Sequence, residues 1–266
     1  MAIGMASGQS WLDIKGIGRP MSVMFIDEDG PEAELQRRIK HLCTGRGLEP
    51  RDLVGLLHAY PSSGLTLNDP VGYATLRQTI LNHKAEFVII DALIAVHSLD
   101  ENKTSDMRML MRSLIRGLMR DTGVGIAVLH HEARPQNPKT GSPRPGAMKG
   151  RGSTEIINAG DNQLHITSRD GISVMAASRC RLLPLVDWPA PVDYAIKSLD
   201  ESTQVVPVSA DPSVTSCAGI LRTLIKSGFE LGSLPATHKL LKERGFSGSR
   251  STVWRAIHSL KETAIS

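Results

Sequence analysis

Residues 86–91 (EFVIID) and 125–131 (GIAVLHH) are two apolar runs that each end in polar, chemically useful side chains. A continuous apolar run of this length is typical of a strand that is buried on both faces, as in a parallel sheet. Ligands bind to such sheets outside the carboxyl ends of the strands. The first run brings the carboxylate of Asp91 to that edge, and the second brings the imidazoles of His130 and His131. A nucleotide-hydrolysing core needs groups of this kind there.

Strand and helix patterns alternate through the first half of the chain. Apolar residues at three- and four-residue spacing predict amphipathic helices between the apolar strands. Such alternation is typical of right-handed βαβ units, so we predict an α/β fold whose mostly parallel sheet is flanked by helices. The predicted strands are 21–28, 53–60, 86–91 and 125–131, and the predicted helices are 31–42, 71–83 and 105–121.

The second half of the chain changes character twice. A short helix over 153–159 and antiparallel strands over 163–167, 172–177 and 192–198 are predicted first. Three short helical patterns close the chain, and the Gly-Phe-Ser-Gly turn before the last one predicts a helix-turn-helix unit. The predicted parts are an α/β core over 1–203, a Val-, Pro- and Ser-rich linker over 204–215, and a small all-α domain over 216–266.

Composition and charge exclude several classes of protein. With 41% hydrophobic and 22% charged residues the chain is unlike a disordered one, and it contains neither a run of eighteen apolar residues nor a secretory signal. Its three cysteines lack metal-ligand spacing, which indicates a reducing, cytoplasmic location. Residues 216–266 hold eight Lys/Arg against three Asp/Glu, whereas residues 1–215 hold 23 against 24. A basic terminal module indicates a polyanionic partner such as DNA, or else a solubilising surface.

Carboxylates at the strand ends are the candidate metal and catalytic groups. A hard cation such as Mg²⁺ takes carboxylate oxygens beside nucleotide phosphates, which suits Asp91. Glu28 and Asp29 follow the first strand, where a carboxylate could orient or deprotonate an attacking water. The alternatives are structural: Asp91 would cap the following turn, and Asp29 or Asp27 would cap the helix predicted from Pro31.

Two further groups could contact phosphate. His130 and His131 alternate between faces if the strand geometry persists, so at most one of them points into the site. Residues 134–150 hold four prolines and three glycines, which predicts a mobile loop beside the site. At its end, glycines around Arg151 would let the guanidinium reach a phosphate on its own subunit or on a neighbour. The alternative for this segment is a solvated basic loop.

Four stretches taken together resemble the RecA-like ATPases of the plasmid RepA helicase type, a branch of the AAA-type P-loop ATPases. The resemblance covers most of residues 7 to about 200, and it implies ATP and Mg²⁺ as cofactors, DNA as partner and a homo-oligomer, a hexamer in that family. The matching stretches are VMFIDEDGPEAELQRRI (23–39), FVIIDALIAVHSLDENKTSDMRML (87–110), GIAVLHHEARP (125–135) and KGRGSTEIINAGDNQLHI (149–166).

The resemblance also implies roles for single residues. Asp91 would be the Walker B carboxylate that holds Mg²⁺ through water, and Asp29 falls at the catalytic glutamate, where its shorter side chain is a departure. Glu28 is adjacent but would point the other way along a strand. The paired histidines match the family's sensors of the γ-phosphate. Arg151 matches the arginine finger, with Lys149 beside it at the bound nucleotide.

The start of the chain departs most from the family. A P-loop reads G-x-x-x-x-G-K-[ST], whereas residues 4–10 read GMASGQS, one residue short and with Gln in place of Lys. A better match puts residues 6–12 (ASGQSWL) at the end of the P-loop helix. On that match the chain is an N-terminally shortened member of the family, and we expect weak or no ATP hydrolysis from it.

The C-terminal segment adds a second resemblance. Residues 250–256 (RSTVWRA) resemble the recognition helix of a winged helix-turn-helix domain. A function of another class stays open beside the ATPase: a non-hydrolysing DNA-binding regulator with a degenerate ATPase core. On either hypothesis Ser251, Thr252 and Arg255 would face the major groove, with Arg250 and Lys261 near phosphates.

Overall fold

The computed structural model describes residues 1–12, 18–131, 154–169, 172–181, 192–207, 221, 233–243, 249–251, 253–254 and 257. The chain divides into two compact units. The first consists of Met1–Gly160 with Lys197–Gln204, and the second of Asp161–Ile196 with Val205–Ser266. Within the described residues, no helix is both long and apolar enough to cross a membrane.

A four-stranded parallel sheet forms the centre of the first unit. Its strands are β1 (Val23–Asp27), β2 (Leu57–Pro61), β3 (Phe87–Asp91) and β4 (Gly125–Val128). They lie in the order β2-β1-β3-β4, and every pair is parallel. The predicted parallel sheet is therefore confirmed, and all four carboxyl ends meet at one edge.

Two strand boundaries differ from the prediction. β2 begins only at Leu57, because residues Pro50–Leu53 form a 3₁₀ turn instead. β4 ends at Val128, three residues before the predicted end, although the Leu129 amide still donates to the Ile90 carbonyl at 2.9 Å. The two histidines thus follow the strand and do not form part of it.

Helices cover both faces of this sheet. The single helix predicted over 105–121 is divided, because a π-helical segment interrupts its hydrogen-bond pattern. The helices are α1 (Ala2–Ser7), α2 (Glu32–Thr44), α3 (Pro70–Asn82), α4 (Thr104–Arg108), a π segment (Met109–Ile115), α5 (Arg116–Thr122) and α6 (Thr154–Ala159), and a second 3₁₀ turn is Leu93–Val96.

Local signals explain where several helices begin and end. Asp69 caps α3, since its side chain accepts a hydrogen bond from the Gly72 amide at 2.8 Å, and Pro70 occupies the first helical position. α1 ends at Gly8 and α5 at Gly123, both with φ of 74°. That conformation suits glycine, which has no Cβ to clash.

Alternating side chains of the central strands enter two separate apolar clusters. Met24, Ile26, Val88 and Ile90 pack with residues of α3 and of the α4–α5 region. On the opposite face, Val23 and Ile89 pack with Ile3 and Ala6 of α1 and with Cys43 of α2. Fully burying a large aliphatic side chain stabilises by roughly 1.5–3 kcal/mol, so this two-sided burial holds the strand ends firmly in place.

A second, mostly antiparallel sheet follows in sequence. β5 (Asn162–Arg169), β6 (Ile172–Cys180), β7 (Val192–Leu199) and β8 (Ser202–Pro207) lie in that order, and β5, β6 and β7 pair antiparallel. The three predicted late strands are present. The predicted linker over 204–215 is wrong at its start, because residues 204–207 complete β8, and residues 208–215 lie outside the described part.

Only part of the predicted helix-turn-helix domain is described. Its second predicted helix corresponds to α7 (Leu234–Glu243). Arg250 and Ser251 are helical, and the Val253 amide donates to the Ser249 carbonyl at 3.2 Å, as in the first turn of a helix. Thr252, Arg255 and Lys261 lie outside the described residues. The helix-turn-helix unit therefore stays a prediction.

Candidate active site at the carboxyl edge of the parallel sheet

The ends of β1 and β3 bring two acidic segments side by side. Asp27 and Asp91 are register partners in the sheet, and the Glu28 amide donates to the Asp91 carbonyl at 2.7 Å. The peptide bond after Asp91 is cis. The hydrogen bond between Glu28 and Asp91 fixes the turn that follows β1, residues 27–30, against the end of β3.

Three predicted site residues converge at this edge. The metal-binding atoms of Asp29, Asp91 and His131 all lie within 4.8 Å of one another. His131 Nε2 lies 3.4 Å from Asp29 Oδ2, and both side chains are exposed, whereas Asp91 is half-buried. Asp91 is the last residue of β3, whereas Asp29 and His131 follow β1 and β4, and we call these three residues the edge cluster.

The buried side chain of Asp27 stabilises the turn through hydrogen bonds to its backbone, a role that the sequence analysis did not predict. Its side chain is 4% exposed, and its Oδ1 accepts hydrogen bonds from the Asp29 and Gly30 amides at 3.1 Å each. Neither Asp27 nor Asp29 caps α2, because Pro31 occupies the N-cap position without a side-chain hydrogen bond. The structural alternative for Asp29 is therefore not observed, and its carboxylate is held at the edge.

Glu28 has a different environment from its neighbour. Its carboxylate accepts hydrogen bonds from the Ser63 and Gly64 amides at 3.1 Å each, from the Leu65 amide at 3.4 Å and from the Ser63 hydroxyl. These donors all belong to the turn after β2. Glu28 thus links the end of β1 to the turn after β2, and it is not a member of the edge cluster.

The electrostatics of the edge favour a bound cation. Burial raises the pKa of Asp91, and the nearby negative charges of Asp27 and Asp29 raise it further. The positive charges of His131 and Arg38 oppose this shift. Arg38, on the polar side of α2, is a second contributor that the sequence reading missed, because only the packing of α2 reveals its proximity. Like charges crowded together in this way are relieved by a divalent ion.

We expect the substitution Asp91→Asn to stabilise the metal-free protein at neutral pH. The folded-state pKa of Asp91 lies above its ordinary 3.8, so between these two values the folded chain binds more protons than the unfolded chain. The free energy of unfolding contributed by this group therefore falls as pH rises through that window. Urea denaturation in chelator should show that the free energies of unfolding of the wild-type chain and of Asp91→Asn are equal in acid. The advantage of the variant should then grow as pH rises. A difference independent of pH would contradict the shift.

His130 lies apart from the edge cluster. Its Nδ1 is 3.7 Å from Oε1 of Glu101, and the two side chains are only 14% and 8% exposed. Of the two adjacent histidines, His131 is therefore the one beside Asp29 and Asp91, and His130 faces the turn before α4.

The remaining predicted site residues lie elsewhere. Lys149, Arg151 and the loop over 134–150 are outside the described residues. Arg250 and Ser251 belong to the second unit. The structure thus brings together three of the predicted catalytic and metal-binding residues, and leaves Arg151 and Lys149 as sequence-based predictions.

The donor set of the edge cluster fits Mg²⁺ together with a phosphate. Two carboxylates supply the oxygen atoms that this hard cation prefers. An imidazole suits a hydrogen bond to a phosphate oxygen better than coordination of Mg²⁺. Among the described residues, no other group of three or more acidic, imidazole or thiol side chains has its ligand atoms close enough together to bind a metal ion.

Comparisons with known proteins agree with the α/β fold of the chain. A family model described as AAA domain matches residues 1–137, just over half of the chain. A solved structure described as the ATPase domain of a larger protein is 17% identical, with a TM-score of 0.50, over 71% of this chain and 75% of its own. The RadB recombinase is 16% identical, with a TM-score of 0.46, over 71% of this chain and 80% of its own. No curated protein matches the sequence. At such identity the likeness to the solved ATPase domain indicates a shared fold alone.

Proposed function

Because the chain belongs to the AAA domain family, we propose that it is a DNA-associated ATPase of the RecA-like type. The observation that carries this proposal is the convergence of Asp29, Asp91 and His131 at the carboxyl edge of a parallel sheet. Ligands of open α/β sheets bind at that edge. ATP and Mg²⁺ are the proposed ligands, and the plasmid RepA helicase type is the proposed branch of the family.

Each member of the edge cluster has a distinct proposed role. Asp91 holds the cation, because burial and neighbouring negative charges disfavour its carboxylate when the charge is not neutralised. When bound, Mg²⁺ neutralises negative charge on the β- and γ-phosphate oxygens. Asp29 orients the attacking water and accepts its proton, with a reach one methylene shorter than the glutamate that the resemblance implies.

His131 and Asp29 contact each other at the edge of the sheet. Their 3.4 Å contact joins an imidazole nitrogen to a carboxylate oxygen. A γ-phosphate is a competing acceptor for the same N–H. We therefore propose that nucleotide binding draws His131 from Asp29 to the phosphate, which frees the carboxylate to act on water. This exchange makes the histidine a sensor of the γ-phosphate.

Partners are proposed from the sequence. Arg151 and Lys149 would reach the phosphates from a neighbouring subunit, which requires a homo-oligomer, proposed as a hexamer. DNA would contact the basic segment over 216–266, whose excess of Lys/Arg supports it. The contacts proposed there are Arg250, Ser251, Thr252, Arg255 and Lys261.

Equilibrium binding of a fluorescent ATP analogue and of labelled DNA tests this proposal. The sequence contains no G-x-x-x-x-G-K-[ST] motif, so binding is measured separately from turnover. We expect nucleotide affinity to increase with Mg²⁺ and to be lost in chelator, and DNA affinity to fall as salt rises. A chain that binds no nucleotide would overturn the ATPase proposal. DNA binding that persisted in that case would favour the non-hydrolysing regulator.

A further inference from the structure

Three titratable side chains lie together just beyond the ends of β3 and β4. His97 follows the 3₁₀ turn Leu93–Val96, Glu101 lies in the turn before α4, and His130 follows β4. The function proposed above gives a role to His131, next to His130, but to none of these three residues. These three residues, which we call the Glu101 cluster, therefore need an explanation of their own.

Glu101 is one of few charged side chains buried in the described residues. It is 8% exposed, and the imidazole of His130 lies 3.7 Å from its Oε1. Burying a carboxylate is costly unless a positive or hydrogen-bonding group compensates it. The contact joins Glu101 to Nδ1 of the ring, and it is an electrostatic contact that is longer than a hydrogen bond.

His97 is the neutral member of the cluster. Its Nδ1 accepts a hydrogen bond from the Leu99 amide at 3.2 Å, so the neutral ring carries its proton on Nε2. Burial lowers the pKa of His97, while the charge of Glu101 acts in the opposite direction. Its buried Nε2 has no hydrogen-bond partner among the described residues.

We propose that Glu101 is a positioning residue for the histidine pair. It holds His130 with Nδ1 towards its carboxylate, and the next residue of the chain, His131, then lies against Asp29 and Asp91. Fixing His130 against Glu101 therefore fixes His131 on the side of Asp29 and Asp91. The consequence for γ-phosphate sensing rests on the proposed function, whereas the orientation of His130 does not.

Nitrogen-15 NMR of histidine-labelled protein, without nucleotide, tests the orientation. In the wild-type chain we expect His130 to carry a proton on Nδ1 and His97 to carry its proton on Nε2. In Glu101→Gln the carboxylate is lost, and His130 should move towards the Nε2–H tautomer. Asp100→Asn, an exposed change in the same turn that keeps the acceptor for the Asn102 amide, is the matched control and should leave His130 unchanged.

A second readout connects orientation to function. Glu101→Gln should reduce the preference for an ATP analogue over ADP by about fivefold or more, while Mg²⁺-dependent binding of ADP stays within about twofold. A wild-type His130 protonated only on Nε2 overturns the positioning role, and so does an unchanged His130 in a folded Glu101→Gln. Should the wild-type chain bind no nucleotide, the proposed function fails, and the wild-type tautomer alone still decides the positioning role.

Discussion

Replacing Asp91 with Ala should remove the Mg²⁺-dependent part of nucleotide binding. Asp91 is the half-buried carboxylate of the edge cluster, where burial and the negative charges of Asp27 and Asp29 raise its pKa. A cation that neutralises this charge binds there more tightly than it would beside an exposed carboxylate. We expect the affinity for Mg²⁺–nucleotide to fall about tenfold or more, which corresponds to ~1.4 kcal/mol or more. Titration of a fluorescent nucleotide with Mg²⁺ and with chelator measures this loss.

An exposed aspartate provides the control for this substitution. Asp121 lies in the last turn of α5 and pairs with Arg120 at 3.2 Å, so Asp121→Ala removes the same charge away from the edge cluster. It should leave the affinity unchanged. If both variants bound Mg²⁺–nucleotide as the wild-type chain does, Asp91 would not hold the cation.

Gly72→Ala should cause a large loss of stability in the first unit. Gly72 is the third residue of α3, and a Cβ built there lies 2.4 Å from the carbonyl oxygen of Thr66. This neighbour is backbone and cannot rotate away. Overpacking of this kind typically costs about 1–3 kcal/mol, and we expect about 2–4 kcal/mol here because α3 or the preceding turn must shift. Urea denaturation followed by circular dichroism measures the free energy of unfolding.

Gly117→Ala is the matched helical control. A Cβ at Gly117 lies 2.8 Å from the Tyr73 hydroxyl, which is the far end of a side chain that can move. Alanine also has a helix propensity about 1 kcal/mol better than glycine. The net change should therefore stay within about 1 kcal/mol. Equal losses in the two variants would show that the backbone contact at Thr66 is not the cause.

The parallel core could be predicted from sequence because its signals are local and repeated. Continuous apolar runs such as 86–91 mark strands buried on both faces, and the structure buries Val88, Ile89 and Ile90 accordingly. The order of the elements predicted an α/β fold with a mostly parallel sheet, and the observed four-stranded sheet confirms that class. Strand ends that meet at one edge then located Asp91 and the neighbouring acids.

Other features depend on contacts that no local pattern records. The binding of the Glu28 carboxylate by the turn after β2 joins residues 35 positions apart along the chain. The separation of His130 from His131 depends on Glu101, which lies in another turn. β8 extends into residues 204–207 although their Val- and Pro-rich composition predicted a linker, because pairing in the second sheet overrides it.

Paramagnetic NMR with Mn²⁺ tests the central claim that the edge cluster binds a cation with nucleotide. Mn²⁺ prefers the same oxygen ligands as Mg²⁺, and it broadens the resonances of nearby nuclei. With ADP present, small additions of Mn²⁺ should broaden the imidazole signals of His131 while those of His41, in the last turn of α2, stay sharp. The broadening should disappear in Asp91→Ala. Sharp His131 signals in the wild-type chain, or the same broadening in Asp91→Ala, would contradict the assignment of the site.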